Sequence, residues 1–442
     1  MKRRQYSKIK VERIIIAGFL SLILAGTLSI YFFNNLAEME MSFLDALFTS
    51  TSAVCVTGLI VLDTATQLSF PSQLTVMLLF QLGGLGVMTA ATAMMILLRQ
   101  RIGIKQRLLF TGGIGLDSLS GAVRLIIAVL KITFVFEILG SLILFMSFSR
   151  EFPFTEALFH SVFQAVSAFC NAGFSTFTTN LSEYSHSLLI PATVMVLIFW
   201  GGIGFIPVVN IISYSKKKEK IRNHTKMVLC TSITLIILGT VLVALFEWNG
   251  ALKGYNYFYK FWNAMFLSVS SRTAGFNTID TASIVSVTAF VVCFLMIIGA
   301  SPGSTGGGIK TTTFTLVVLS VVAYLRGKRN AMIGYRSIPS SDVTRATSVA
   351  VIYISTILFA VLVLSFLENF TFREIVFEVI SALGTVGLSM GITGSLSAPG
   401  KMVIIVLMFW GRIGMLTVIY GLVRSSQVSE DINYPEVNIP LG

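Results

Sequence analysis

Four stretches of this chain end alike: SAVCVTGL (52–59), SAFCNAGF (167–174), SSRTAGF (270–276) and SALGTVGL (381–388). Their glycines, Gly58, Gly173, Gly275 and Gly387, recur at intervals of roughly 100 to 115 residues, a longer period than that of solenoid repeats. Ser52, Ser167 and Ser381 each stand six residues before the glycine, whereas the third copy has Val269 at that place. Each stretch closes a half-apolar segment, 42–57, 155–172, 258–274 or 371–386. Such a segment is too short and too polar to cross lipid alone, since a span needs about 20 apolar residues.

Longer apolar stretches flank these segments. Those at 14–33, 74–98, 123–147, 188–213, 227–247, 346–366 and 402–423 have the length of single spans, and 283–325 is too long for one. The first follows a basic tail as a signal peptide would, but it is long enough to span and opens a pattern that recurs. Each repeat reads as outer helix, short re-entrant pore helix, extended small-residue strand and inner helix. The expected division is a basic tail at 1–12, repeats at 13–108, 120–215, 224–328 and 340–424, and a polar tail at 425–442. The expected fold is an all-α integral membrane protein. Its four parallel repeats surround a central pore whose axis runs along the membrane normal.

Composition agrees with a lipid solvent. Of 442 residues 55% are hydrophobic and 12% charged, about half the charged share of a soluble domain, and the mean hydropathy is +0.84. The net charge of +12 is explained by position. Basic residues gather in the amino-terminal tail and in the loops 99–107, 216–226 and 326–336, while alternate loops carry Glu38, Glu40, Asp63, Glu183 and Asp280. This positive-inside pattern predicts a multi-pass membrane protein with both ends in the cytoplasm. Nucleic acid is excluded as a partner, because no basic patch is interleaved with stacking aromatics outside the spans. Cys55, Cys170, Cys230 and Cys293 lie far apart without metal-ligand spacing and read as free, mostly buried thiols.

Irregular backbone at membrane depth is tolerated only where protein buries it or where it lines a wet cavity. Four such strands at matching positions converge on the repeat axis, and their carbonyls can replace the water shell of an ion. Glycine allows the dihedrals this needs and puts no side chain in the pore. The short helices aim negative carboxyl ends inward, which favours a cation. Helix packing is the other reading of any single glycine; four registered copies favour the pore. The candidate filter is Val56, Thr57 and Gly58; Asn171, Ala172 and Gly173; Thr273, Ala274 and Gly275; and Thr385, Val386 and Gly387, with potassium at their carbonyls.

The inner helices carry GGLG (83–86), GGIG (201–204) and GRIG (411–414), glycines suited to close helix packing. Arg412 replaces Gly84 and Gly202 of the sister motifs. A mid-helix charge costs about 2.5–3.5 kcal/mol and faces protein or water, so Arg412 reads either as a structural tie to carbonyls or as a positive barrier in the path. In the third repeat GASPGSTGGGIKTTT (299–313) interrupts the apolar stretch. Pro302 and the glycine run continue a helix poorly, which predicts a polar loop at mid-membrane, a gate or a static kink. The candidate gate is Ala300, Ser301, Pro302, Gly303, Ser304, Thr305, Gly306, Gly307, Gly308, Lys310 and Arg412. Ile309 before Lys310 spoils a phosphate-cradling loop motif, and the chain carries no catalytic constellation: it reads as a transporter without an organic cofactor, not an enzyme.

The combination of VTGL, NAGF, RTAGF and TVGL with GASPGSTGGGIKTTTF and FWGRIG resembles the membrane subunit of Ktr/Trk-type bacterial potassium uptake systems, closest to the Ktr branch, over about 400 residues. The resemblance implies the pseudo-fourfold symmetry of a potassium channel and potassium uptake, in some members aided by sodium. It also implies a homodimer in membrane lipid on a cytosolic ring of nucleotide-binding gating subunits. By motif position the four glycines are the filter glycines, 300–310 the intramembrane gate and Arg412 the basic residue facing it. Plant relatives with serine at the first glycine look sodium-selective; Gly58 here favours potassium. A sodium-coupled or sodium-dependent symporter is the alternative to a regulated pore.

Overall fold

A computed structural model of the chain describes residues 11–86, 122–217, 220–328, 330–333 and 336–414. Most of the amino-terminal tail, the basic loop 99–107 and the tail 425–442 lie outside the described residues. Among the described residues, four single helices are long and apolar enough to cross a bilayer: α1 (Val11–Leu36), α4 (Ala122–Phe148), α8 (Asn223–Glu247) and α12 (Ser340–Leu367). Only 28% to 39% of their apolar windows is buried, and Phe366 on α12 is 90% exposed. An outward apolar band on this scale requires lipid against it.

Four shorter helices fall where the half-apolar segments predict them: α2 (Phe43–Val54), α5 (Phe154–Cys170), α9 (Tyr257–Ser270) and α13 (Phe372–Gly384). Three of their starts carry side-chain caps. Ser42 accepts from the Asp45 N–H, Asn256 from the Tyr259 N–H, and Thr371 with Glu374 forms a capping box, each satisfying N–H groups that a helix start leaves orphaned. Their inner faces carry Phe48, Phe163, Phe266 and Phe377, all fully buried.

The inner helices are α3 (Phe70–Leu85), α6 (Leu189–Gly202), α10 (Ser286–Ile297) and α14 (Ala398–Ile413). Helices α3, α6 and α14 correct the continuous inner helices expected over 74–98, 188–213 and 402–423. Each of these three stops one or two residues before the last glycine of its motif, where φ is 83° at Gly86, 90° at Gly204 and 92° at Gly414. That conformation ends a helix and suits only glycine well. After Gly204 the chain resumes as α7 (Phe205–Lys217), bent 99° from α6; the residues directly after Gly86 and Gly414 lie outside the described ones. In the third repeat α10 stops at Ile297 and α11 (Thr311–Leu325) comes after the glycine-rich loop, an interruption the sequence does predict. Among the described residues, strand is confined to the antiparallel pair β1 (Met332–Ile333) and β2 (Arg336–Ser337).

The packing runs in a circle. Helix α3 packs on α5, α6 on α9, α10 on α13, and α14 back on α2. Each inner helix thus supports the short helix of the next repeat, and the last supports the first. The first glycines of the inner-helix motifs make a similarly close approach possible within the first, second and fourth repeats. A β-carbon at Gly83 would lie 2.1 Å from the Val54 carbonyl oxygen, one at Gly201 1.9 Å from that of Phe169, and one at Gly411 2.0 Å from that of Leu383.

Candidate functional site

The four repeat glycines form a closed ring. A β-carbon placed on Gly58 would lie 2.5 Å from the Ala172 carbonyl oxygen, on Gly173 2.8 Å from that of Ala274, on Gly275 2.5 Å from that of Val386, and on Gly387 2.2 Å from that of Thr57. Every neighbour is the residue immediately before the next glycine, so the carbonyls of Thr57, Ala172, Ala274 and Val386 all come to the ring. The glycines have φ between 74° and 95°. Two residues before each, Val56, Asn171, Thr273 and Thr385 also take positive φ, from 50° to 71°. For β-branched Val56, Thr273 and Thr385 this is an outlier conformation, costing about 1–3 kcal/mol at each position. Packing must hold it there, and these residues are fully buried.

Serines hold the strands behind the ring. Ser52 accepts from the Gly58 N–H at 3.1 Å and donates to the Leu59 carbonyl at 2.7 Å. Ser167 donates to the Phe174 carbonyl at 2.7 Å, and Ser381 accepts from the Gly387 N–H at 3.1 Å. In the third repeat Ser270 donates to the Phe276 carbonyl. The counterpart is therefore Ser270 rather than position 269, and the strand from serine to glycine is one residue shorter there. The spacing from phenylalanine to serine is four residues in all four repeats, Phe266 to Ser270 included, a signal that places the shortening after the helix.

On the face of the ring that the chain reaches after the glycines, a cavity of about 460 Å³ opens, lined by all four glycines with Asp63, Asn180, Asp280 and Thr393. The opposite face is covered by the loop 300–310. A β-carbon on Gly306 would lie 2.1 Å from Thr273 Oγ1, and the Gly307 N–H donates to Thr385 Oγ1 at 3.1 Å. The neck of the loop is pinched by a parallel bridge between Ile298 and Ile309. Ala300 is closed in by the Thr311 N–H on its carbonyl at 3.3 Å, and Ser301 and Thr311 hydroxyls meet at 2.9 Å.

The break after α6 is filled by this loop. A helix end leaves carbonyls without partners. Those of Gly202 and Gly201 accept from the Ser301 and Thr305 N–H groups at 3.0 and 3.4 Å, and the Phe205 N–H donates to the Gly303 carbonyl at 3.0 Å. Pro302 lies against Gly204, whose β-carbon would be 2.7 Å from the Pro302 oxygen, and the Ser304 hydroxyl donates to the Ser301 carbonyl at 2.5 Å. Arg412 does the same for the first repeat. One guanidinium nitrogen donates to the Thr305 carbonyl and the other to Gly83, with Gly84 at 3.4 Å. Lys310 donates to the carbonyls of Gly306 at 2.7 Å and Gly307 at 3.5 Å, while Gly308 takes φ 68° at the turn back to Ile309. Two cations thus hold three successive loop carbonyls under the ring.

Arg272 completes this collar and is not singled out by the sequence pattern. It is 8% exposed and donates to Ser232 and to the Gly299 carbonyl at 3.3 to 3.4 Å, tying the loop's entrance to α8. Its signal in the sequence is a charge inside a small-residue stretch. The four cysteines are free, with Cys55, Cys170 and Cys293 buried and Cys230 exposed.

The family model described as TrkH, cation transport protein, matches residues 9–431. The potassium/sodium uptake protein NtpJ of Enterococcus hirae is 37% identical over all of this chain and 99% of its own length. The Ktr system potassium uptake protein B of Bacillus subtilis is 37% identical over 91% of this chain and 90% of its own. The crystal structure of the potassium transporter TrkH from Vibrio parahaemolyticus superposes with a TM-score of 0.77 at 19% identity, covering 96% of this chain and 87% of that one, which establishes the fold.

Proposed function

The chain belongs to the TrkH family of cation transport proteins, and we propose that it is the ion-translocating membrane subunit of a Ktr-type potassium uptake system. In this reading potassium sheds its water shell at the carbonyls of the four filter strands and enters down its electrochemical gradient. The observation that carries it is the closed glycine ring, with a backbone carbonyl from each repeat drawn to it. Carbonyl rings of this kind replace an ion's hydration shell. The short helices add the negative ends of their dipoles, and Asp63 and Asp280 in the outer cavity favour cations at its mouth.

The loop 300–310 is the gate in this reading, closed when Arg412 and Lys310 hold its carbonyls beneath the ring. Two cations on the path oppose a third. The motif resemblance supports a homodimer in the bacterial cell membrane, both ends cytoplasmic, on a cytosolic ring of nucleotide-binding subunits that biases the loop.

A sodium-coupled or sodium-dependent mode is the second reading, favoured by the potassium/sodium name of the Enterococcus relative. Uptake of radioactive rubidium into liposomes holding the purified chain tests both. Rubidium accumulation down a potassium gradient without sodium supports the pore. Accumulation only with sodium supports coupling, and no accumulation in either condition contradicts cation translocation by this chain.

A further inference from the structure

A second cavity, of about 690 Å³, opens at the amino-terminal end of α8, away from the ion path. It is lined by Tyr214 from α7, by Lys220, Ile221, Arg222, Asn223 and Lys226 where α8 begins, and by Arg336 from β2. Four of these residues are cationic and none is acidic. Among the described residues, none of the four cationic side chains has an ion pair or hydrogen bond. The start of α8 adds to the positive field, because its cap residue Arg222 offers no side-chain acceptor and its first turn has no acid. Uncapped N–H groups and the positive end of the helix dipole therefore face the same space.

The helix face that continues from Lys226, one of the lining residues, decides the occupant. Lys226, Cys230, Ile233, Ile237, Val241 and Leu245 come at three- and four-residue spacing and share one face of α8. All are exposed, with Leu245 at 64%. This helix is one of the four candidate spans, so the stripe meets acyl chains and the cationic cavity lies at its polar end. A soluble anion has no use for such a stripe. A zwitterionic headgroup brings its own ammonium, which four cations repel. Arginine forks match phosphate oxygens two at a time, and basic pockets at the cytoplasmic ends of membrane helices suit anionic lipid phosphates.

We propose that this cavity binds the phosphate headgroup of an anionic phospholipid whose acyl chains lie along the α8 stripe. The test is native mass spectrometry of the purified full chain in neutral detergent, offered equal amounts of phosphatidylglycerol and phosphatidylcholine with identical chains. The wild type should retain phosphatidylglycerol in preference by about tenfold or more, given the attraction each basic residue adds at a membrane surface. Arg222→Gln/Lys226→Gln/Arg336→Gln should lose that preference. Arg222→Lys/Arg336→Lys should keep most of it, and so should Arg150→Gln/Lys253→Gln, which removes charge elsewhere. Equal retention of the two lipids by the wild type overturns the proposal, as does an undiminished preference in the triple glutamine variant. Loss of the lipid to excess inorganic phosphate also overturns it, and would make the cavity a site for free phosphate.

Discussion

The Lys401 ammonium lies 2.7 Å from the Asp45 carboxylate. Asp45 sits in the first turn of α2 and Lys401 on α14, so the pair ties the last inner helix to the first short helix. It spans the one junction of the circle that joins the last repeat to the first rather than two consecutive repeats. Both side chains are about 15% exposed, so the pair is only partly screened by salt. We predict that Lys401→Met lowers the melting temperature of the detergent-solubilised protein, with a destabilisation of about 1 kcal/mol or less. The exchange Lys401→Asp/Asp45→Lys should recover most of the loss. An unchanged melting temperature in Lys401→Met removes this pair from the closure of the ring.

Gly387 and Gly391 share a positive φ but not a neighbourhood. A β-carbon on Gly387 meets the Thr57 oxygen at 2.2 Å, whereas one on Gly391 meets nothing within 4 Å. Gly391→Ala should cost only the backbone preference, about 1–2 kcal/mol, and leave uptake intact. Gly387→Ala must push the Thr57 carbonyl out of the ring and should abolish growth of a potassium-uptake-deficient cell on limiting potassium. Gly58→Ser should weaken potassium preference over sodium in the same cells, since its β-carbon meets the Ala172 oxygen at 2.5 Å. If Gly58→Ser grows and selects as the wild type does, Gly58 is not part of the filter.

Ser270 supplies a prediction that only the structure makes. Ser270→Ala removes the donor to the Phe276 carbonyl behind the third strand, and it should reduce potassium/sodium selectivity, as should Ser52→Ala, which removes the hydroxyl behind the first. Val269→Ala should have a smaller effect. Selectivity measured by competition of sodium against rubidium uptake distinguishes them. The reverse order would restore position 269 to the serine series.

The four glycines, the short helices ahead of them and the interruption at Pro302 were all legible in the sequence. Each depends on a local property: a residue without a side chain, a segment too short to span, or a proline within an apolar run. The breaks at Gly86, Gly204 and Gly414 were not legible as breaks. A glycine in an apolar run packs or breaks a helix according to its neighbours, and the partner that satisfies the broken end of α6 is a loop about 100 residues downstream. Arg412 was legible as a costly charge with two readings. Its geometry joins them, because the same guanidinium caps the Gly83 carbonyl and holds Thr305. Arg272 was obscured because one charge in a motif of small residues does not reveal that it reaches Ser232 and Gly299.

In the proposed mechanism the loop closes the path by a contact with Arg412. Hydrogen bonds to charged groups contribute roughly 1.5–3 kcal/mol, so losing one should shift a two-state gate about tenfold or more toward open. The direct measurement is resting rubidium flux into liposomes holding the chain alone, for the wild type, for deletion of 303–308, for Arg412→Ala, and for both together. Resting flux should be higher in each single variant and rise no further in the double, because both act on one contact. Low resting flux after the deletion would contradict a loop gate, and additive effects would show that Arg412 acts elsewhere.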